Sequence, residues 1–226
     1  MFCKGAAGAL YRRRLARTVG GMDTSAALTP QPPGFWPWVG RTFLHLLGWE
    51  LEGQTPAVDK AVIIAAPHTS NWDFPLAVAV ALVHRFHFRW LGKDALFKMP
   101  FWGAFMRFLG GIPVDRSGPH GVVASVVERF SHAEPMVLMI PPEGSRSKTT
   151  GWKTGFYYIA REAQVPIILG YMDYRRKRAG ASRLFYPTGD IDKDFGEFKR
   201  FYAGVTGKFP EHQSEVRVQP SHQKKA

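Results

Sequence analysis

Three short apolar runs constrain the fold of this chain most: AVIIAA at 61–66, MVLMI at 136–140 and VPIILG at 165–170. Each is of strand length, rich in aliphatic residues, and bounded by proline or glycine, so each reads as a buried strand. The stretches between them change period. Leu76, Val80, Leu82, Val83 and Phe86 recur at helical spacing within 74–87, and Val122, Val126, Val127 and Phe130 do so within 121–132. A short strand is expected at 88–91, a short aromatic helix at 101–109, and another helix at 157–164. Gly110-Gly111 separates the aromatic helix from a strand over Ile112–Val114. Strands alternating with helices of this length predict an α/β fold, a single domain with a largely parallel or mixed central sheet flanked by helices.

With 226 residues, 45% of them hydrophobic, the chain can bury one real core. The expected organisation is an extension or targeting segment over 1–21, an aromatic membrane-associating segment over 22–59, a catalytic domain over 60–208 and a tail over 209–226. Residues 1–21 hold Lys4, Arg12, Arg13, Arg14 and Arg17 and no acid. They suit a disordered extension ahead of a true start at Met22, or a transit peptide. The net charge of +12, or +7 without those five cations, calls for an anionic partner. The single cysteine, Cys3, rules out an internal disulfide framework and a cysteine-rich zinc site. No run reaches the roughly 18–20 apolar residues that span a bilayer. Residues 34–49 nevertheless concentrate Phe35, Trp36, Trp38, Phe43 and Trp49 around Arg41, a composition suited either to a headgroup interface or to packing on the core. The expected location is peripheral or monotopic on the cytoplasmic face of a membrane, or mitochondrial if 1–21 is a transit peptide.

The stretch PHTSNWD at 67–73 places His68 and Asp73 just past the first strand. Five positions along a helix turn the two side chains about 140° apart, so they cooperate only across a bend. The reading puts His68 in the turn, Ser70 or Asn71 at the helix cap and Asp73 in the first helical turn, with Pro75 early enough to be tolerated. Such a carboxylate can orient an imidazole and leave its other nitrogen free to take a proton. Two more turns follow predicted strands, GGIPVDR at 110–116 and PEGSRSK at 142–148. Ligands of open α/β sheets bind beyond the carboxyl ends of strands, so His68, Arg116 and Arg146 are expected to share a crevice in which the arginine forks suit phosphate.

Together these blocks resemble the glycerolipid acyltransferases, the family of 1-acylglycerol-3-phosphate acyltransferases. That family's histidine and aspartate, separated by four residues, match His68 and Asp73; its second block is similar to 111–116, its third to 142–147, and its fourth to Val165–Ile168. Pro67 departs from the asparagine common at that place. The resemblance implies an acyl group moved from an acyl thioester, acyl-CoA or acyl carrier protein, to the hydroxyl of a lysolipid. His68 would be the base and Asp73 its orienting partner, with Asn71, Arg116, Glu143, Gly144, Ser145 and Arg146 lining the substrate site. It implies no cofactor beyond the donor and, together with the basic charge, an anionic membrane surface as partner. No Gly-x-Ser-x-Gly elbow supplies a covalent nucleophile. Nucleic-acid binding is disfavoured, because no Walker loop or zinc-finger spacing occurs and the tryptophans stand apart from Arg175–Arg178. No His-Glu-x-x-His grouping supports a metal hydrolase. A His/Asp hydrolase and a non-catalytic anion-binding protein are the alternatives.

Overall fold

The computed structural model describes residues 34–53, 58–114, 121–132 and 135–220. They form one seven-stranded sheet between two helical layers. In chain order the elements are α1 (Phe35–Leu46), β1 (Glu50–Glu52), β2 (Lys60–Ala66), α2 (Asp73–His84), β3 (Phe88–Lys93), α3 (Pro100–Phe108), β4 (Gly111–Val114), α4 (Gly121–His132), β5 (Met136–Ile140), α5 (Gly155–Glu162), β6 (Ile167–Asp173), β7 (Arg178–Phe185) and α6 (Ile191–Tyr202). The strand order is β1-β7-β6-β2-β5-β3-β4. From β6 to β4 every pairing is parallel; β7 runs antiparallel to β6 and carries β1 parallel to itself.

The continuous apolar character of β2 follows from helices covering both its faces. Val62, Ile64 and Ala66 point with Leu138, Ile167 and Leu169 toward Val126 and Phe130 of α4, Phe156 and Ile159 of α5, and Phe195 and Phe198 of α6. Ala61, Ile63, Val137 and Ile168 point the other way, toward Ala81 of α2 and Phe88. A fully buried aliphatic or phenyl side chain contributes about 1.5–3 kcal/mol. This double-faced core therefore fixes where the ends of β2, β5 and β6 stand, and the candidate site is built on those ends.

Two expectations about the margins change. Trp49 is 7% exposed and packs edge-on against Tyr174 at a centroid distance of 4.9 Å, so it belongs to the core, while Trp36 and Trp38 are exposed. The expected tail from 209 is structured as far as 219. Trp152 N–H donates to Arg217 O, Gln219 N–H donates to Trp152 O, and Trp152 and Val218 form a parallel bridge. The remainder of both expected termini lies outside the described residues.

Candidate active site

Strands β2 and β5 are adjacent and parallel, with Ile64 opposite Ile140. The turns that follow them therefore lie side by side, although they are 75 residues apart in sequence. Two hydrogen bonds join them. The backbone N–H of His68 donates to Glu143 Oε1 at 3.2 Å, and the Arg146 guanidinium donates to Asn71 Oδ1. The sheet thus brings together His68, Asn71, Asp73, Glu143, Gly144, Ser145 and Arg146. Arg116, the remaining expected member, lies outside the described residues.

His68 Nδ1 is 3.0 Å from Asp73 Oδ2. The same oxygen accepts the backbone N–H groups of Thr69 and Ser70, each at 3.0 Å, and Oδ1 accepts the phenol of Tyr174 at 2.6 Å. An ionised carboxylate only accepts hydrogen bonds, so the ring nitrogen facing it carries the proton and Nε2 keeps its lone pair. Among the described residues nothing bonds Nε2, and the ring is partly open to solvent. The bend works differently from the expected cap. Helix α2 starts at Asp73 behind Trp72, with no side-chain cap; Ser70 Oγ accepts the Trp72 N–H, and Asn71 turns to Arg146. Asp73 itself ties the turn by gathering the N–H groups before it.

Glu143 is 2% exposed, and among the described residues its Oε2 has no hydrogen-bond partner. Burial pushes its carboxyl from 4.5 up to about 7, against the smaller opposing pull of the backbone N–H groups of Glu143 and His68. Gly144 follows at φ +65°, a left-handed conformation that glycine adopts freely, and a Cβ there would meet Lys153 Nζ at 2.9 Å. Ser145 Oγ accepts the N–H of Ser147 at 3.1 Å. Among the described residues no three His, Cys, Asp or Glu side chains converge as metal ligands.

Two contributors are not apparent in the motifs. Tyr174 stands just past β6, the other neighbour of β2, with Ala66 opposite Tyr171. Burial, then the bond to Asp73, push its phenol far above the usual range. The segment after α6 returns to the same turn: Phe209 N–H donates to Thr69 Oγ1 at 3.2 Å, and Lys208 Nζ sits 5.1 Å from the centre of the Trp72 ring. Extending the expected strand at 165–170 to its observed end at Asp173 is the signal that would have placed Tyr174; no motif marks Lys208.

A family model described as Acyltransferase matches residues 49–169, more than half of the chain and all of the His68–Asp73 and Glu143–Arg146 turns. The chain belongs to the acyltransferase family. It is 31% identical over 132 residues to the 1-acyl-sn-glycerol-3-phosphate acyltransferase of Escherichia coli (strain K12), covering 54% of this chain and 52% of that one. It is 32% identical over 148 residues to the protein of the same name from Salmonella typhimurium, covering 62% and 59%. The chain thus spans little more than half the length of these curated relatives. The crystal structure of the 1-acyl-sn-glycerophosphate (LPA) acyltransferase PlsC from Thermotoga maritima superposes with a TM-score of 0.50 at 18% identity, over 74% of this chain and 73% of that one. That likeness supports the α/β fold with its mixed sheet.

Proposed function

We propose that this acyltransferase-family chain moves a fatty acyl group from an acyl thioester, acyl-CoA or acyl carrier protein, to the hydroxyl of a lysolipid such as 1-acylglycerol-3-phosphate. The relatives' names supply the substrate class. The observation that carries the reading is the His68–Asp73 pair, with Nδ1 bound to the carboxylate and Nε2 open. In the reaction, Nε2 takes the proton of the acceptor hydroxyl as its oxygen attacks the thioester carbonyl carbon. The tetrahedral intermediate collapses, the carbon–sulfur bond breaks, and the imidazolium returns the proton to the departing thiolate. Asp73, held by four hydrogen bonds, stabilises that imidazolium without moving. Direct transfer fits the neighbouring hydroxyls, since among the described residues neither Ser70 Oγ, which accepts the Trp72 N–H, nor Thr69 Oγ1, which accepts the Phe209 N–H, is hydrogen-bonded to the imidazole as a nucleophile would be.

The acceptor resides in a lipid surface, and no helix among the described residues is long and apolar enough to cross one. The chain works as a peripheral protein. Phe35, Trp36 and Trp38 of α1 and Phe101, Trp102, Phe105 and Phe108 of α3 are exposed, and the excess of lysine and arginine complements an anionic headgroup layer.

His68→Ala should lower acyl transfer by about a hundredfold or more while leaving the fold intact, since a positioned base contributes roughly 10²–10⁴-fold. The assay is thiol release from an acyl thioester with and without added lysolipid. Activity close to the parent in a folded His68→Ala protein removes the mechanism, and release independent of lysolipid makes the chain a thioester hydrolase.

A further inference from the structure

The carboxylate of Asp73 is bound differently on its two sides. Its Oδ2 faces the imidazole and the backbone N–H groups of Thr69 and Ser70, and its Oδ1 accepts the phenol of Tyr174 at 2.6 Å. The last torsion of an aspartate is soft and roughly two-fold, so bonds to one oxygen alone leave the carboxylate plane free to tilt. A donor on the opposite oxygen removes that freedom. The phenol bond has the short length of a charge-assisted pair, and Asp73 is 3% exposed, so bulk water does not compete for Oδ1.

Tyr174 is itself held on three sides. Asp173 before it is fully buried and accepts the backbone N–H groups of Arg175 and Arg176 and the Arg176 Nε–H, which ties the turn between β6 and β7. The backbone N–H of Tyr174 donates to Thr206 O at 2.9 Å. Its ring meets Trp49 edge-on at 4.9 Å, and Trp49, whose N–H donates to Leu44 O, stands where α1 hands over to β1. These contacts fix backbone and ring without using the phenol oxygen, which is left to Asp73. Tyr174 lies beyond the 49–169 stretch matched by the family model, so segments far apart in sequence meet at the aspartate.

We infer that Tyr174, steadied by Trp49, is a positioning residue for the reaction: its phenol fixes the plane of the Asp73 carboxylate and, through it, the imidazole of His68. The inference rests on the acyl-transfer reading. As Nε2 takes the acceptor's proton, positive charge grows on the ring and the bond from Nδ1–H to Oδ2 strengthens. A carboxylate already aligned needs no reorientation at that moment. Tyr174 acts through Asp73, so its loss falls on the chemical step and leaves substrate affinity as it is.

The test uses the full chain and compares Tyr174→Phe with Tyr171→Phe. Tyr171 is a matched control, because it stands on the same strand and its phenol also donates to a carboxylate, Glu52 Oε2, outside the dyad. Tyr174→Phe should lower kcat roughly tenfold, the effect of losing a charge-assisted hydrogen bond, with the Michaelis constants for 1-acylglycerol-3-phosphate and acyl-CoA within about twofold of the parent. Tyr171→Phe should leave kcat within about twofold of the parent. A parental kcat in Tyr174→Phe, a loss confined to the Michaelis constants, or an equal loss in both variants overturns the inference. If Tyr174→Phe does not fold, Trp49→Phe takes its place, since it keeps the phenol and loosens its support. A lower kcat with parental Michaelis constants then keeps the inference, and a parental kcat removes it. If the parent transfers no acyl group, the functional reading fails on its own, and NMR of protein labelled with nitrogen-15 histidine decides. The ring-nitrogen signals of His68 are identified by their loss in His68→Ala. Signals that move in Tyr174→Phe and stay in Tyr171→Phe keep the positioning role; signals that stay in both, or move equally, remove it.

Discussion

At the scale of single residues, Glu143 sets a pH dependence opposite to that of an ordinary carboxylate. Its carboxyl is pushed from 4.5 to about 7 by burial, so between those values the folded chain holds a proton that the unfolded chain has lost. Stability therefore falls as pH rises through that window and is lowest above it, a loss of about 3 kcal/mol at most. Glu143→Gln keeps an acceptor for the His68 N–H and cannot ionise. In denaturant unfolding, its stability relative to the parent should rise between about pH 5 and about pH 8. A difference that stays flat across that range shows that Glu143 is already ionised in the folded protein and that burial does not raise its carboxyl. The pairing of His68 with Asp73 is legible in the sequence because a strand followed by a turn and a helix leaves few ways to place two groups five residues apart. Tyr174 is legible only when strand β6 is followed to its observed end at Asp173, and Lys208 is not legible, because it reaches the turn through tertiary packing from a segment with no local pattern of its own.

At the scale of elements, the sequence shows most clearly what is buried on both sides. Strands β2 and β5, helix α4 and the break at Gly110–Gly111 emerge from apolar runs, helical spacing and glycine. Strand β7, reading RAGASRLF, has little apolar signal because it lies toward one side of the sheet and pairs with the short β1, and helix α6 places a buried Asp194 on the face that carries Phe195, Phe198 and Tyr202. The packing of α1 on α2 depends on a detail that periodicity does not report. A Cβ on Gly40 would lie 2.6 Å from Ala79 O and 3.1 Å from both Leu82 Cβ and Val83 Cγ2, so the backbones meet at that point. Gly40→Ala should push the helices apart and cost about 1–3 kcal/mol in denaturant unfolding. Gly196→Ala, in α6 where a Cβ meets nothing within 4 Å, should instead stabilise by up to about 1 kcal/mol. Equal effects at both positions mean that α1 does not rest on α2 through Gly40.

At the scale of the whole molecule, the helical layers differ in what they present outward. Helix α3 is tied to α2 through Arg107, which donates to Phe97 O and lies 5.4 Å from the centre of its ring; Phe97 packs on Trp90 at 6.0 Å and Trp90 edge-on against Phe74 of α2 at 5.5 Å, and α1 packs on α2, so α1, α2 and α3 share one side of the sheet. That side carries the exposed aromatic residues of α1 and α3, with Phe101 92% and Phe108 84% exposed. If the proposed peripheral attachment holds, aromatic side chains left open on two helices of one layer make contact with lipid a property of the layer, broader than the 34–49 segment that composition picks out. Trp49, in the core, takes no part. Apolar insertion and charge attraction then predict separable behaviour in liposome flotation. Binding should favour anionic over neutral vesicles and weaken partly as salt shortens the Debye length below ~10 Å. Replacing Trp36 and Trp38 by serine should reduce it, as should replacing Phe101 and Phe108, because each pair withdraws apolar area from the interface without opening the core. All four together should lower the bound fraction at least about tenfold, since each inserted ring contributes on the order of 1 kcal/mol or more. A folded quadruple variant that floats like the parent shows that neither helix meets the lipid and that charge alone holds the chain there.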